Sequence, residues 1–237
     1  FYLTSLKDNQ RAIADNTKAI ELDKDNPDMW YYRGSIYIDN LSDEKNALAD
    51  FKKALELDST YVDAINASAL IYVDQKKYDL AIKEFERGIV LKEINPEGAA
   101  YCYANRAEQY IRLREFDKAL ADYDSAIVLQ PQNADRYYNR AWFYYNYKKE
   151  YNKSIFDFNK TIELDPDDSE NWRSLGYVYQ FGIKDYKKAL GYYEKSLEVD
   201  STYVEAINSK ALIYVEQKKY DLAIKEYERG IELKEIN

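Results

Sequence analysis

Small and aromatic residues return along the chain at nearly fixed intervals, within stretches whose polar and apolar positions follow a helical period. Gly34, Ala69, Ala107, Ala141, Gly176 and Ala211 are separated by 35, 38, 34, 35 and 35 residues. Three places after each stands a tyrosine: Tyr37, Tyr72, Tyr110, Tyr144, Tyr179 and Tyr214. Positions three apart share one face of a helix, so each pair predicts a first helix with a small residue beside a ring. Ala47, Ala81, Ala119, Ser154, Ala189 and Ala223 follow 12 or 13 positions after the first small residue. Four residues further comes an aromatic (Phe51, Phe85, Tyr123, Phe158, Tyr193, Tyr227), and three beyond that a small residue again (Ala54, Gly88, Ala126, Thr161, Ser196, Gly230). That spacing of i, i+4, i+7 is the inner stripe of a second helix. Prolines 27, 96, 131 and 166 fall between units, where a helix begins but does not continue. The predicted unit is a helical hairpin of roughly 34 residues, the length class of a solenoid repeat.

A longer period overlies the short one. Shifted by 142 residues, 1–95 aligns with 143–237 without a gap, and 58–95 differs from 200–237 at six of 38 positions. Asp63/Glu205, Asp74/Glu216 and Phe85/Tyr227 are among these mild changes. The expected divisions are the latter part of a repeat at 1–26, then repeats at 27–60, 61–95, 96–133, 134–167, 168–202 and 203–237, in one continuous solenoid. The chain opens without methionine and in mid-pattern, which reads as an excerpt of a longer polypeptide.

The first-helix segments "MWYYRGSIY", "NWRSLGYVY" and "YYNRAWFYY", and the second-helix segment "KALADYDSAIVLQP", closely resemble the tetratricopeptide repeat. The resemblance covers essentially the whole chain. The first, fourth and fifth full repeats carry one extra residue between their helices, a faint likeness to Sel1-like repeats. Ser59 and Ser201 replace the junction proline at two places. What the resemblance implies is an all-α, right-handed α-solenoid of stacked antiparallel hairpins, whose first helices line a concave groove that holds an extended peptide or a partner's helix.

In that frame the implied groove residues are Tyr31, Tyr101, Asn105, Asp135, Tyr138, Asn139, Trp142, Tyr145, Glu170, Tyr177 and Phe181. One acidic ring contains Asp28, Asp63, Asp135, Glu170 and Glu205, and a second Asp39, Asp74 and Glu216. Acidic positions with aromatics between them suit a basic, partly apolar protein segment. The same acids at helix starts equally complement the helix dipole. The clamp that some tetratricopeptide domains use for a partner's C-terminal carboxylate is absent: Asn105 and Asn139 match its middle position, but Asp135, Asn139, Glu170 and Ser174 stand where its cations belong.

Composition narrows the rest. A net charge of −9 and a pI near 4.8 disfavour nucleic acid and anionic membranes as partners. No apolar run is long enough to span a bilayer. No signal-peptide pattern opens the chain, so the cytoplasm is the expected compartment unless an export signal has been removed. There is no histidine, and the single Cys102 allows neither an internal disulfide nor the common zinc sites. Neither a phosphate-binding glycine loop nor a nucleophile elbow occurs. "DKDNPD" and "DPDD" lack calcium-loop spacing and read as turns between repeats. The expectation is therefore a non-catalytic interaction scaffold with no cofactor or metal. The alternative is a structural spacer in a longer array. Neither end carries a polar cap, so the last helix should expose an apolar face open to end-to-end self-association.

Overall fold

The computed structural model describes residues 2–236, with side chains over 9–39 and 41–233. Among the described residues there are thirteen α-helices, two π-helical turns and no strand. They are α1 (Tyr2–Leu22), α2 (Pro27–Leu41), α3 (Glu44–Leu57), α4 (Val62–Asp74), α5 (Tyr78–Val90), α6 (Pro96–Arg112) and α7 (Phe116–Leu129), then α8 (Ala134–Phe143), α9 (Tyr151–Leu164), α10 (Ser169–Tyr177), α11 (Tyr186–Val199), α12 (Val204–Glu216) and α13 (Tyr220–Ile236). The fold is an all-α solenoid of helix hairpins. It comprises two compact units, one ending at Gln130 and one beginning at Pro131. In the first, α1 packs on α2, the hairpins are α2/α3, α4/α5 and α6/α7, and α4 also meets α6. In the second, the hairpins are α8/α9, α10/α11 and α12/α13, with α9 on α10 and α11 on α12.

In four of the hairpins the small residue of the first helix packs with the aromatic of the second: Gly34 with Phe51, Ala69 with Phe85, Ala141 with Phe158 and Gly176 with Tyr193. A Cβ built on Gly34 would lie 2.6 Å from the Phe51 ring, and one on Gly176 would lie 2.7 Å from Tyr193. Ala69, Ala107, Ala141 and Ala211 are fully buried at the equivalent place. Phe51, Phe85, Tyr123, Phe158 and Tyr193 are buried too, whereas Tyr227 on α13 is 36% exposed. Backbone-to-aromatic contact this close leaves no room for extra atoms.

Helix starts are fixed by Asx caps. Asn26, Asn133 and Asp168 accept from the backbone N–H two residues on, at 3.0, 2.9 and 2.9 Å, and Asn95 accepts from Gly98 N at 2.8 Å. At the two junctions without proline, Asp58 and Asp200 instead bind both the backbone N–H and the hydroxyl of Thr60 and Thr202, at 2.8 and 2.7 Å. An Asx turn thus does there what the proline does elsewhere.

The extra residue of three repeats does not lengthen a loop as expected. It is wound into the end of the first helix. In the compact hairpins the carbonyls of Tyr72, Tyr110 and Tyr214 accept from Lys77, Glu115 and Lys219, each at 2.8 Å. In the longer ones the matching carbonyls of Tyr37, Tyr144 and Tyr179 reach Asp43, Glu150 and Asp185, one residue further, at 2.8, 3.1 and 2.9 Å. Two of these three absorb the insertion as π-helical turns, Tyr144–Lys148 and Val178–Ile183. The residue before each second helix therefore keeps its bond to the same tyrosine carbonyl, and the aromatic stripe stays in register.

Ala119→Leu would force a side chain into the fully closed α6/α7 contact. The expected cost is about 1–3 kcal/mol, read as a lower urea midpoint; no loss would contradict the assigned contact.

Candidate binding surface

The candidate residues fall into two groups. Tyr31 on α2 and Tyr101 and Asn105 on α6 belong to the first unit. Tyr31 is half-buried, with its ring 5.7 Å from Phe51 and 5.3 Å from Tyr61. Asn105 donates through Nδ2 to Asn66 Oδ1 at 3.0 Å, so that its amide already has a protein partner. Tyr101 is exposed.

The other eight belong to the second unit, and most of them meet. Trp142 lies 6.3 Å from Tyr138, 5.6 Å from Tyr145 and 5.5 Å from Tyr177, all edge-to-face. Tyr177 in turn lies 5.5 Å from Tyr145 and 4.5 Å from Phe181. These rings are half-buried, and Trp142 also rests on the buried Phe158 at 5.3 Å. Edge-to-face pairs at such spacings favour the quadrupole alignment and hold the cluster rigid. Burial pushes the Tyr145 hydroxyl up to about 12, so it stays a neutral donor at physiological pH. Asn139 stands half-buried on α8, and Asp135 is exposed in the first turn of that helix.

Glu170 is engaged from every side. Tyr138 donates to its Oε1 at 3.0 Å and Ser174 Oγ at 3.0 Å, while Arg173 holds both oxygens at 2.6 and 2.7 Å. The Tyr203 hydroxyl donates to Oε2. Tyr138 comes from α8 and Tyr203 immediately precedes α12, so one carboxylate ties three successive first helices together. Burial raises its pKa, but the bonds from Arg173, Tyr203 and Ser174 and the guanidinium charge outweigh that and hold it below the ordinary 4.5. In the first unit burial, with Asp28 nearby, raises the pKa of the Tyr61 hydroxyl. Tyr203 belongs to the duplicated segment, which gives the second "STY" junction a structural task.

Buried ion pairs inside the hairpins were missed at the level of sequence. Arg33 binds Asp50 with two bonds of 2.7 Å, Arg106 binds Asp122 at 2.8 and 2.7 Å, and Arg140 binds Asp157 at 2.8 and 2.7 Å. Lys210 meets Glu226 at 3.2 Å. The Asp157 side chain is 1% exposed. Removing one partner of such a pair costs about 3–5 kcal/mol, because the other charge is left buried alone. The signal was present: a cation one place before the first small residue, and an acid one place before the second-helix aromatic.

Cys102 is buried on α6, and burial pushes its thiol up to about 12, which makes it a packing residue. Among the described residues no group of three or more acids and cysteines could hold a metal ion, and no helix is long and apolar enough to cross a membrane.

A family model described as Tetratricopeptide repeat matches residues 27–61, 62–95, 134–168 and 204–237, more than half of the chain. The chain belongs to the tetratricopeptide repeat family. The matched segments hold the hairpins α2/α3, α4/α5, α8/α9 and α12/α13. Solved tetratricopeptide structures share the fold. Yeast Tom70 superposes with a TM-score of 0.69 at 22% identity, over 93% of this chain and 46% of Tom70. A tetratricopeptide repeat protein from Parabacteroides merdae gives 0.64 at 16% identity, over 98% and 93%. YrrB, described as having an unusual peptide-binding site, gives 0.56 at 21% identity, over 82% and 97%. At these identities the likeness shows the fold alone. No curated protein matches the chain.

Within this tetratricopeptide scaffold Glu170 makes a pH-dependent contribution. A carboxyl with a lowered folded pKa stabilises above its unfolded value and loses that contribution as pH falls through the folded one. The stability gap between wild type and Glu170→Gln should therefore be full near neutrality and shrink as pH drops below about 4.5. Urea titrations across that range showing a constant gap would contradict the network.

Proposed function

We propose that this chain is a non-catalytic scaffold that holds a protein segment on the first-helix face of its second unit, through Trp142, Tyr145, Tyr177 and Phe181. The observation that carries the reading is this cluster: five rings counting Tyr138, four in edge-to-face contact with Phe181 tilted on Tyr177, half-buried rather than sealed in a core. Rigid aromatics lose little entropy on binding and recur as interface anchors. The exposed Asp135 and Glu205 and the net charge of −9 favour a basic, partly apolar guest, with cation–π contact as one component. Glu170 serves as a strut of the scaffold, since its oxygens are already bonded. Tetratricopeptide proteins as a class bind proteins or peptides, which is consistent with this reading.

A second reading, self-association, rests on α13. Its residues 220–233 repeat 78–91 of α5 and the turn that follows it with two changes, Phe85/Tyr227 and Val90/Glu232. On α5, Phe85 is fully buried and Ile89 is 9% exposed, with Cys102 of α6 packed in the same cluster. On α13 the matching Tyr227 and Ile231 are 36% and 58% exposed, and Ile224 is 54% exposed. This face has the chemistry of a helix-covered surface.

The two readings separate experimentally. Against a panel of basic–apolar and acidic peptides, wild type should select the basic ones. Trp142→Ala combined with Tyr177→Ala should weaken them about 30-fold or more, with helix content retained by circular dichroism. Unaltered affinity in the double variant would remove the aromatic face from the account. If association through α13 dominates, light scattering should show concentration-dependent mass that Ile224→Lys with Ile231→Lys abolishes. A wild type that stays monomeric would exclude this second reading.

A further inference from the structure

The buried ion pair has a fixed address in the hairpin, and one hairpin keeps only half of it. In α4/α5 the carboxylate is present as Glu84, one place before Phe85. The cation's place, before Ala69, is held by Ser68, whose Oγ turns back to the Ala64 carbonyl at 2.8 Å. In α10/α11 both places are apolar or aromatic, Leu175 and Tyr192, so no charge is left over. A carboxylate at this place without a first-helix cation is special to α4/α5.

An open cavity of about 480 Å³ lies at Ser68 and Glu84, walled by Tyr72 and by Leu48 and Leu55 of α3. The aromatic is in register as well. The guanidinium carbons of Arg106 and Arg140 lie 5.4 and 5.9 Å from the rings of Tyr110 and Tyr144, the residues that correspond to Tyr72. The duplicated copy makes the contrast sharp. Tyr214 and Glu226 match Tyr72 and Glu84, but Lys210 replaces Ser68 and reaches Glu226 at 3.2 Å. Of the six differences between the copies, this one decides whether the carboxylate has a cation from the first helix.

We propose that the α4/α5 cavity is a binding site for an arginine side chain of a partner peptide. Glu84 receives the guanidinium as Asp50, Asp122 and Asp157 receive the chain's own. Tyr72 lies beneath its face, and Leu48 and Leu55 flank its alkyl stem. A planar guanidinium matches a carboxylate with two parallel bonds, which an ammonium cannot do. Two resident cations compete. Arg87 lies 3.3 Å from Glu84 in a partly exposed i,i+3 pair, and Lys52 lines the cavity where the other copy has Glu194. Glu56, also in the wall, offsets one of these charges. An exposed pair of that kind is weak and yields to a better-placed partner. The site is separate from the aromatic face of the second unit and does not depend on it.

The test titrates the whole chain with N-acetyl-arginine methylamide, with its citrulline counterpart as the uncharged control, following backbone amide signals of Ser68 and Glu84 by NMR. The arginine probe should give saturable shifts, with a dissociation constant on the order of 1 mM. Citrulline, and the arginine probe on Glu84→Gln, should bind roughly tenfold more weakly. Ser68→Arg should abolish the shifts by supplying the guanidinium from within, and Arg87→Ala should tighten binding. Equal binding of arginine and citrulline, or binding that persists in Ser68→Arg, overturns the proposal. Should Ser68→Arg fail to fold, Glu84→Gln decides alone, and undiminished binding there overturns it.

Discussion

A small residue on one helix pressed against an aromatic ring on the next is the contact on which this molecule depends. At Gly34 and Gly176 even one added carbon would meet a ring at 2.6–2.7 Å. Such proximity sets the distance between the helices of a hairpin, and it closes the space beside the ring to water. In three hairpins the acid one place before the aromatic is buried. The carboxylates of Asp50, Asp122 and Asp157 sit at that position, and each takes a guanidinium from the first helix of its own hairpin. The ion pairs are a consequence of close packing, since an unpaired charge there would be costly.

Repetition makes every departure informative. Where the first helix gains a residue, a wider turn keeps the tyrosine carbonyl bonded to the residue before the second helix. Where proline is missing, an Asx turn replaces it. The carboxylate of α4/α5 lacks a first-helix cation, and a cavity opens beside it. The second unit adds rigidity of another kind, with Glu170 joining α8, α10 and the start of α12 beneath a fixed set of rings. A binding face built on such a frame is pre-organised, which lowers the entropy lost when a guest docks.

Much of this was legible in the residues. The small and aromatic positions recur six times in phase, and in four hairpins they pack together as that pattern predicts. The ion pairs were legible only through their fixed places in the repeat, because singly Arg33 and Asp50, or Arg106 and Asp122, stand 17 or 16 residues apart among 34 basic and 43 acidic residues. Only the hairpin brings them together. Glu170 carried the opposite lesson: as a letter it is one more acid at a helix start, and two of its four donors, Tyr138 and Tyr203, come from positions more than thirty residues away. The π-turns were hidden because an insertion looks the same in sequence whether it lengthens a loop or a helix.

The central contact is tested most directly by a double-mutant cycle on Gly34 and Phe51, with stabilities read from urea denaturation. Gly34→Ala should destabilise the wild type despite alanine's better helix propensity, and should cost much less when Phe51 is already leucine. A coupling of about 1–3 kcal/mol is the predicted result. Additivity within about 0.5 kcal/mol would mean that the two residues do not press on each other, and would contradict the account.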